Sequence, residues 1–89
     1  MNDAFKALAD PTRRDIVHLL RGGPLTSGEI ANHFPVAWPT ISRHLAVLRD
    51  AGLIQGERHG QQIVYELNTT VVEDIIHHLM AWVRPGGTR

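Results

Sequence analysis

The sequence predicts a mainly α fold that carries one β-hairpin: four short helices, two strands, then a last helix. Three observations point there. Apolar residues recur at helical spacing in Ile16, Leu19 and Leu20, again in Ile41, Leu45 and Leu48, and again from Val71 to Val83. The period then drops to two at Ile63, Tyr65 and Leu67. Between these runs stand turn signals: Gly22-Gly23-Pro24, Phe34-Pro35, Gly52, Gly60 and Pro85-Gly86-Gly87.

Each element follows from local chemistry. Asp3 to Leu8 is short and amphipathic, with Phe5 and Leu8 three apart, and such a helix is marginal unless it docks. Asp10-Pro11-Thr12 starts the second helix, with a capping carboxylate before a proline suited to the first helical position. It runs to Leu20 and stops at Gly22-Gly23-Pro24. Thr26-Ser27-Gly28-Glu29 spells a capping box, opening a short helix from Ser27 to about His33. Pro35 disfavours helix at Phe34 and imposes a turn. The fourth helix opens at Trp38-Pro39, buries Ile41, Leu45 and Leu48, and runs to about Ala51, with Gly52 as a left-handed stop. Ala37 is a poor cap for it, so N–H groups at its start are expected to stay open to an anion. Leu53–Arg58 and Gln62–Leu67 flank His59-Gly60-Gln61 as a hairpin. Asn68-Thr69-Thr70 caps the last helix, which continues to Val83 before Pro85-Gly86-Gly87. Its apolar positions 71, 72, 75, 76, 79, 80, 82 and 83 cover more than one stripe, which asks for a partner beyond a thin core.

Composition narrows the classes. Residues 1–89 are read as one domain, with 9 basic against 9 acidic residues and a formal net charge of zero. At 43% hydrophobic and 20% charged, the balance is globular and excludes a multidomain enzyme, a coiled-coil rod or a polybasic tail. A core this small needs support, and with no cysteine to form a disulfide or a thiolate site, a dimer is expected. No run approaches the ~18 apolar residues of a membrane span, and Met1–Lys6 lacks the pattern of a signal peptide, so the cytoplasm is expected. There is no Gly-rich phosphate loop or nucleophile elbow, so catalysis is not expected, and no cofactor or metal is called for.

Two helices joined by a tight turn, the second followed at once by a β-wing, form a winged helix-turn-helix pattern. In that geometry the second helix enters the major groove by its N-terminal end. Here that end offers Trp38, Pro39, Thr40, Ser42, Arg43 and His44. Arg43 suits a guanine edge or a phosphate, the hydroxyls of Thr40 and Ser42 suit either, and Trp38 suits sugar or a thymine methyl. The hairpin tip adds Arg58, His59 and Gln61 for the backbone or minor groove. The partner implied is double-stranded operator DNA. The neutral charge then requires segregation, with Arg43 and Arg58 facing the duplex, Arg13 or Arg14 at a flank, and Asp50 and Glu57 turned away.

The chain resembles the ArsR-type bacterial repressors, and among them the SdpR-like autorepressor branch. The resemblance lies in Phe5-Lys6-Ala7-Leu8-Ala9-Asp10-Pro11-Thr12-Arg13-Arg14, in Leu25-Thr26-Ser27-Gly28-Glu29-Ile30-Ala31, and in Pro39-Thr40-Ile41-Ser42-Arg43-His44-Leu45-Ala46-Val47-Leu48. It continues through Ala51-Gly52-Leu53-Ile54 and Gly60-Gln61-Gln62-Ile63-Val64-Tyr65-Glu66-Leu67-Asn68, and covers about positions 3 to 83. It implies a homodimer joined through the first and last helices, here with Phe5, Leu8, Val72, Ile75, Ile76, Leu79 and Val83. It also implies repression from an inverted-repeat operator. Its metal chemistry does not carry over. Thiolate sensors of the family place Cys-x-Cys in the positioning helix, where this chain has Thr26–Asn32. Zinc sensors use a carboxylate and histidines at places that fall here near Thr69, Val71, Trp82 and Pro85.

Several residues keep two readings. His44 suits a packed histidine as well as a base reader. Arg13 and Arg14 suit an ion pair with Asp10 or a phosphate at the flank. His77 and His78 point about 100° apart, so one helix does not offer both to one metal; a zinc site there needs a second chain, perhaps with Glu73 or Asp74. A metal- or ligand-responsive repressor, and a winged module that binds protein instead of DNA, stand as alternatives, with the inducer or receptor open.

Overall fold

The computed structural model describes residues 2–83. The stop signal at Pro85-Gly86-Gly87, and Pro85 as a zinc-sensor position, lie outside the described residues. Helix α1 spans Asn2–Ala7 and α2 Pro11–Leu20; strand β1, Leu25–Thr26, leads into α3, Ser27–Ala31. Helix α4 spans Trp38–Asp50, β2 Ile54–His59, β3 Gln62–Leu67 and α5 Thr69–Val83. The helix order and the hairpin are those expected from the sequence. Strand β1 was not expected. It pairs antiparallel with β3, Leu25 opposite Tyr65 and Thr26 opposite Val64, so the sheet order is β1-β3-β2.

The caps explain where the helices begin and end. Asp10 accepts the Arg13 N–H at 3.1 Å. Thr26 Oγ1 accepts the Glu29 N–H at 3.1 Å while Glu29 Oε1 accepts the Thr26 N–H at 2.8 Å, closing the capping box. Thr26 therefore belongs to the sheet and to the start of α3 at once. The third helix ends at Ala31, two residues short of the expectation. Beyond it His33 and Phe34 N–H bond the carbonyls of Ile30 and Ala31, a tighter winding that closes the turn. At the end of α4, Gly52 takes φ 81°. Leu53 N–H bonds Leu48 O at 3.0 Å and Gly52 N–H bonds Arg49 O at 2.9 Å, the paired bonds of a Schellman stop.

Ile16, Ile30, Ile41, Leu48 and Leu53 are the largest fully buried side chains, joined by Leu20, Leu45, Ile54, Tyr65 and Ile75. Truncating such a residue to alanine costs about 2–5 kcal/mol, a large fraction of what so small a domain has. In α1 it is Ala4 and Ala7, not Phe5 and Leu8, that are buried. The small residues let α1 lie close on α4, and Phe5 turns instead toward α5, with ring centroids 6.2 Å from His78 and 6.1 Å from Trp82.

Helix α5 is held at one end. Val71 and Val72 pack on the core and Ile75 is buried, while Ile76, Leu79, Met80, Trp82 and Val83 stand exposed. Ile75, expected at a dimer face, instead belongs to the core of its own chain, where it is buried with the other large apolar residues. The radius of gyration is 14.3 Å, above the ~12 Å of a compact chain of this length. Among the described residues no helix is long and apolar enough to cross a membrane.

Two positions make testable demands. A Cβ on Gly56 would lie 2.9 Å from Tyr65 Cε1 and 3.0 Å from Ile63 Cγ2. Gly56 faces Tyr65 directly across the hairpin, so the ring lies over the glycine. Gly56→Ala is expected to destabilise the domain by about 1–3 kcal/mol through overpacking, read as a lower denaturant midpoint at unchanged m-value. Asp10 is held below its ordinary pKa of 3.8, first by the Arg13 N–H, against some desolvation, with His44, the Thr12 N–H and the Arg13 charge adding smaller effects in the same direction. A depressed carboxylate stabilises the fold above its unfolded pKa and loses that contribution as pH falls through the folded value. Asp10→Asn keeps a capping oxygen without the titration. Its melting temperature is therefore expected to fall less steeply than that of the wild type below about pH 3.8, as measured by circular dichroism from pH 6 down to 2.5.

Candidate nucleic-acid interface

The buried stripe of α4 decides what its other side chains face. With Ile41, Leu45 and Leu48 inward, Arg43 falls roughly 200° around the helix from Ile41. Ser42 and Arg43 are exposed, Thr40 is half-buried, and Pro39 lies one turn before Arg43 on the outward side. Among the described residues Arg43 has no carboxylate within 4.0 Å. Trp38 is 53% exposed. Its indole edge rests near Gly28, where a Cβ would stand 3.9 Å from the ring, so the tryptophan bridges the turn between α3 and α4. Ala37 gives α4 no side-chain cap. The start is nonetheless less open than expected, because Thr40 and Ile41 N–H both turn back to the Ala37 carbonyl and Pro39 has no N–H.

His44 does not join the outward edge. Its side chain is 16% exposed, and Nδ1 lies 3.3 Å from Arg13 Nη1 and 3.9 Å from Asp10 Oδ2. The helical period carries it back toward α2, so of the two readings the sequence left for His44 the packed histidine is the one the structure shows. Arg13 and Arg14 are likewise structural. Arg13 Nε donates to the Ala7 carbonyl and Nη2 to that of Lys6 at 3.2 Å. Arg14 Nη1 donates to Leu8 O at 2.9 Å and Ala9 O at 3.1 Å. Both arginines cap carbonyls at and just past the end of α1, where the regular ladder runs out; that of Lys6 also accepts the Ala9 N–H at 3.2 Å. The Asp10 carboxylate takes the Arg13 backbone N–H, and among the described residues no Asp10–Arg13 ion pair lies within 4.0 Å. The two readings left by the sequence, ion pair or phosphate, are both replaced by this latch. No sequence signal beyond the adjacent Arg-Arg pair pointed to it.

The wing divides its side chains by strand alternation. Arg58 pairs with Ile63 and Gly56 with Tyr65 on one face, at whose outer end Arg58 is itself exposed. Glu57 and His59 share the other face, where His59 Nε2 lies 2.8 Å from Glu57 Oε1. Arg58 and His59, expected together, thus project to opposite sides. Gly60 and Gln61 make the two-residue tip, with Gly60 at φ 67° as the first residue of a type II′ turn requires.

Carboxylates near these elements have partners. Asp50 Oδ1 lies 3.2 Å from Arg49 Nη2, Glu57 faces His59, Glu66 Oε1 accepts from Gln55 Nε2 at 3.1 Å, and Glu29 closes its capping box. Glu73 and Asp74 lie on α5. A neutral chain thus presents Arg43 outward on α4 without an acid beside it among the described residues. Among the described residues no cluster of three or more His, Asp or Glu stands ready for a metal ion.

Comparison with known proteins adds the family. The pattern described as "Bacterial regulatory protein, arsR family" matches residues 10–56. The chain is 49% identical over 86 residues to the transcriptional repressor SdpR of Bacillus subtilis (strain 168), covering 97% of this chain and 96% of that protein. It is 33% identical over 79 residues to an arsenical resistance operon repressor of Staphylococcus aureus, covering 89% and 76% of the two chains. The crystal structure of an ArsR family transcriptional regulator superposes with a TM-score of 0.77 at 32% identity, over 93% of this chain and 96% of the other.

Proposed function

This chain belongs to the arsR family of bacterial regulatory proteins, and from that premise we propose that it represses transcription as a homodimer bound to an inverted-repeat operator, its own promoter included. It is a DNA-binding regulator and not an enzyme. The observation that carries the finer reading is the outward edge of α4: Trp38, Thr40, Ser42 and an unpaired Arg43 beside a wing that bears Arg58 and Gln61. Donors of this kind at the start of a recognition helix suit base edges and phosphates. His59, paired with Glu57, contributes at most to the wing's backbone contact.

The bare end of α5 supports the dimer. Ile76 is 53%, Leu79 39% and Val83 70% exposed, beside Met80 and Trp82. A second copy bringing the same face would cover both, as an isologous contact does. Phe5, Leu8 and Val72, half-buried at its margin, complete the face. Two recognition helices joined this way would meet successive major grooves about 34–36 Å apart. The role fits a cytoplasmic site of action.

Three measurements test this. A footprint of the wild type on DNA upstream of its own coding sequence should show two protected half-sites related by a dyad; one half-site, or none, refutes the inverted repeat. Arg43→Ala should keep its melting temperature and dimer mass yet lose about 1–3 kcal/mol of binding to that duplex, with a shallower salt dependence if the lost contact was a phosphate. Equal binding by the variant across a salt series would leave α4 out of the interface. Leu79→Glu should shift sedimentation toward monomer and weaken binding to the full operator more than to a half-site; an unchanged dimer would remove α5 from the interface.

A further inference from the structure

We propose that Arg13 is a positioning residue for DNA binding: through His44 it ties the end of α1 to the recognition helix and holds the outward edge of α4 at the angle the duplex needs. The inference rests on the reading that α4 enters the groove, and it assigns a role to residues that do not touch DNA.

Three elements meet at one guanidinium. Nε and Nη2 donate to the carbonyls of Ala7 and Lys6 at the end of α1, Nη1 faces His44 Nδ1 of α4 at 3.3 Å, and the residue's own N–H is fixed by Asp10 at 3.1 Å. A guanidinium has donors only, so the contact is a hydrogen bond in the tautomer that leaves Nδ1 bare and carries the ring proton on Nε2. The planar fork is already oriented by the two carbonyls, so its remaining donor has a set direction before His44 arrives.

That direction is what the apolar core of α4 does not provide. Contacts of Ile41, Leu45 and Leu48 are non-directional and tolerate a small rotation about the helix axis. A hydrogen bond does not, because it weakens steeply off line. His44 follows Arg43 in the chain, and the helix turns as one body, so a rotation that re-aims Arg43 also pulls His44 from Arg13. Helix α1, which the dimer reading places beside α5, is at the other end of the tie. Arg13 of α2 and Asp10, the cap of that helix, face the ring; Arg13 also lines a cleft of about 330 Å³ with Asp3, Lys6 and Asp50.

Substitutions at His44 separate this role from a direct contact. In His44→Asn the amide oxygen replaces Nδ1 as acceptor and nothing replaces Nε2; His44→Leu fills the half-buried space and removes the acceptor. The probe is a labelled duplex selected by the wild type from a random-sequence pool, and melting temperature and dimer fraction are read on the same samples. His44→Asn should bind within about threefold of the wild type, and His44→Leu about tenfold more weakly while still folded and dimeric. Arg13→Lys keeps the charge without the fork; it should weaken the wild type but add less than about twofold to His44→Leu. His44→Asn as weak as His44→Leu means that Nε2 meets the DNA itself, and full additivity of the Arg13 and His44 changes means that the two act separately; either overturns the tie. His44→Leu equal to a wild type that binds overturns the tie alone, whereas a wild type that selects no duplex overturns the DNA reading and the tie with it.

Discussion

Burial of Ile41, Leu45 and Leu48 along one line of α4 is the constraint from which the rest of the surface follows. A helix has a fixed period, so fixing three azimuths fixes all thirteen residues of the element. Arg43 and Ser42 are sent outward, Thr40 to the edge, and His44 back toward α2. The Schellman stop at Gly52 then fixes where the helix ends, so that Leu53 and Ile54 enter the core and start the wing at a set distance from α4. Thr26 does the same at the other side, pairing with Val64 in the sheet while capping α3. The helix pair and the wing are thus parts of one rigid arrangement rather than modules joined by a loop.

Neutral charge is compatible with a polyanionic partner because the acids are arranged, not because they are few. Asp10 and Glu29 cap helices; Asp50 and Glu57 meet neighbours on their own element, and Glu66 accepts from Gln55 across the hairpin. Exposed pairs of this sort add little stability, about 0–1 kcal/mol each. Their larger effect is on the field. Asp50, held beside Arg49, contributes little at a distance, while an arginine without such a partner acts at full charge within a Debye length. Arg43 stands in that position; Arg49 does not, since Asp50 cancels it.

The elements that were legible in the sequence were those whose signal is local. A capping carboxylate before proline, a Thr-x-x-Glu box, a glycine after an apolar stripe and a switch of period each depend on a few adjacent residues, and α2, α3, α4 and the hairpin lie where those signals put them. What escaped was decided between elements. A two-residue strand has no period to read, so β1 was invisible until Tyr65 and Val64 were set beside it. The Arg13–Arg14 pair looked like a basic flank because its real partners are backbone carbonyls, which carry no sequence signature. Likewise the apolar face of α1 suggested Phe5 and Leu8 as the docking side, whereas close approach to α4 favoured the alanines. The outward placement of Ser42 and Arg43 and the inward edge of His44 needed only the helical period; that His44 meets Arg13 needed to know where α2 lay.

The same thin core that makes the chain hard to stabilise makes its stability concentration-dependent if α5 pairs as proposed. Helix α5 contributes one fully buried residue, Ile75, to its own subunit, and leaves five large apolar side chains in water. Fully burying a side chain of that size is worth about 1.5–3 kcal/mol, and 39–70% of each is still exposed, so the face is worth a large fraction of the net stability expected of a small domain. Association and folding then draw on the same surface, and the linkage runs in both directions. DNA that binds only the dimer would stabilise the fold of each subunit, and anything that opened the α5 contact would loosen α1 beside it, where Phe5 rests on His78 and Trp82. Since α1 is also the anchor of the Arg13 fork, a change at the dimer face has a short covalent and hydrogen-bonded route to the recognition helix. A separate sensor domain is not required for such a protein to respond to a partner that competes for α5.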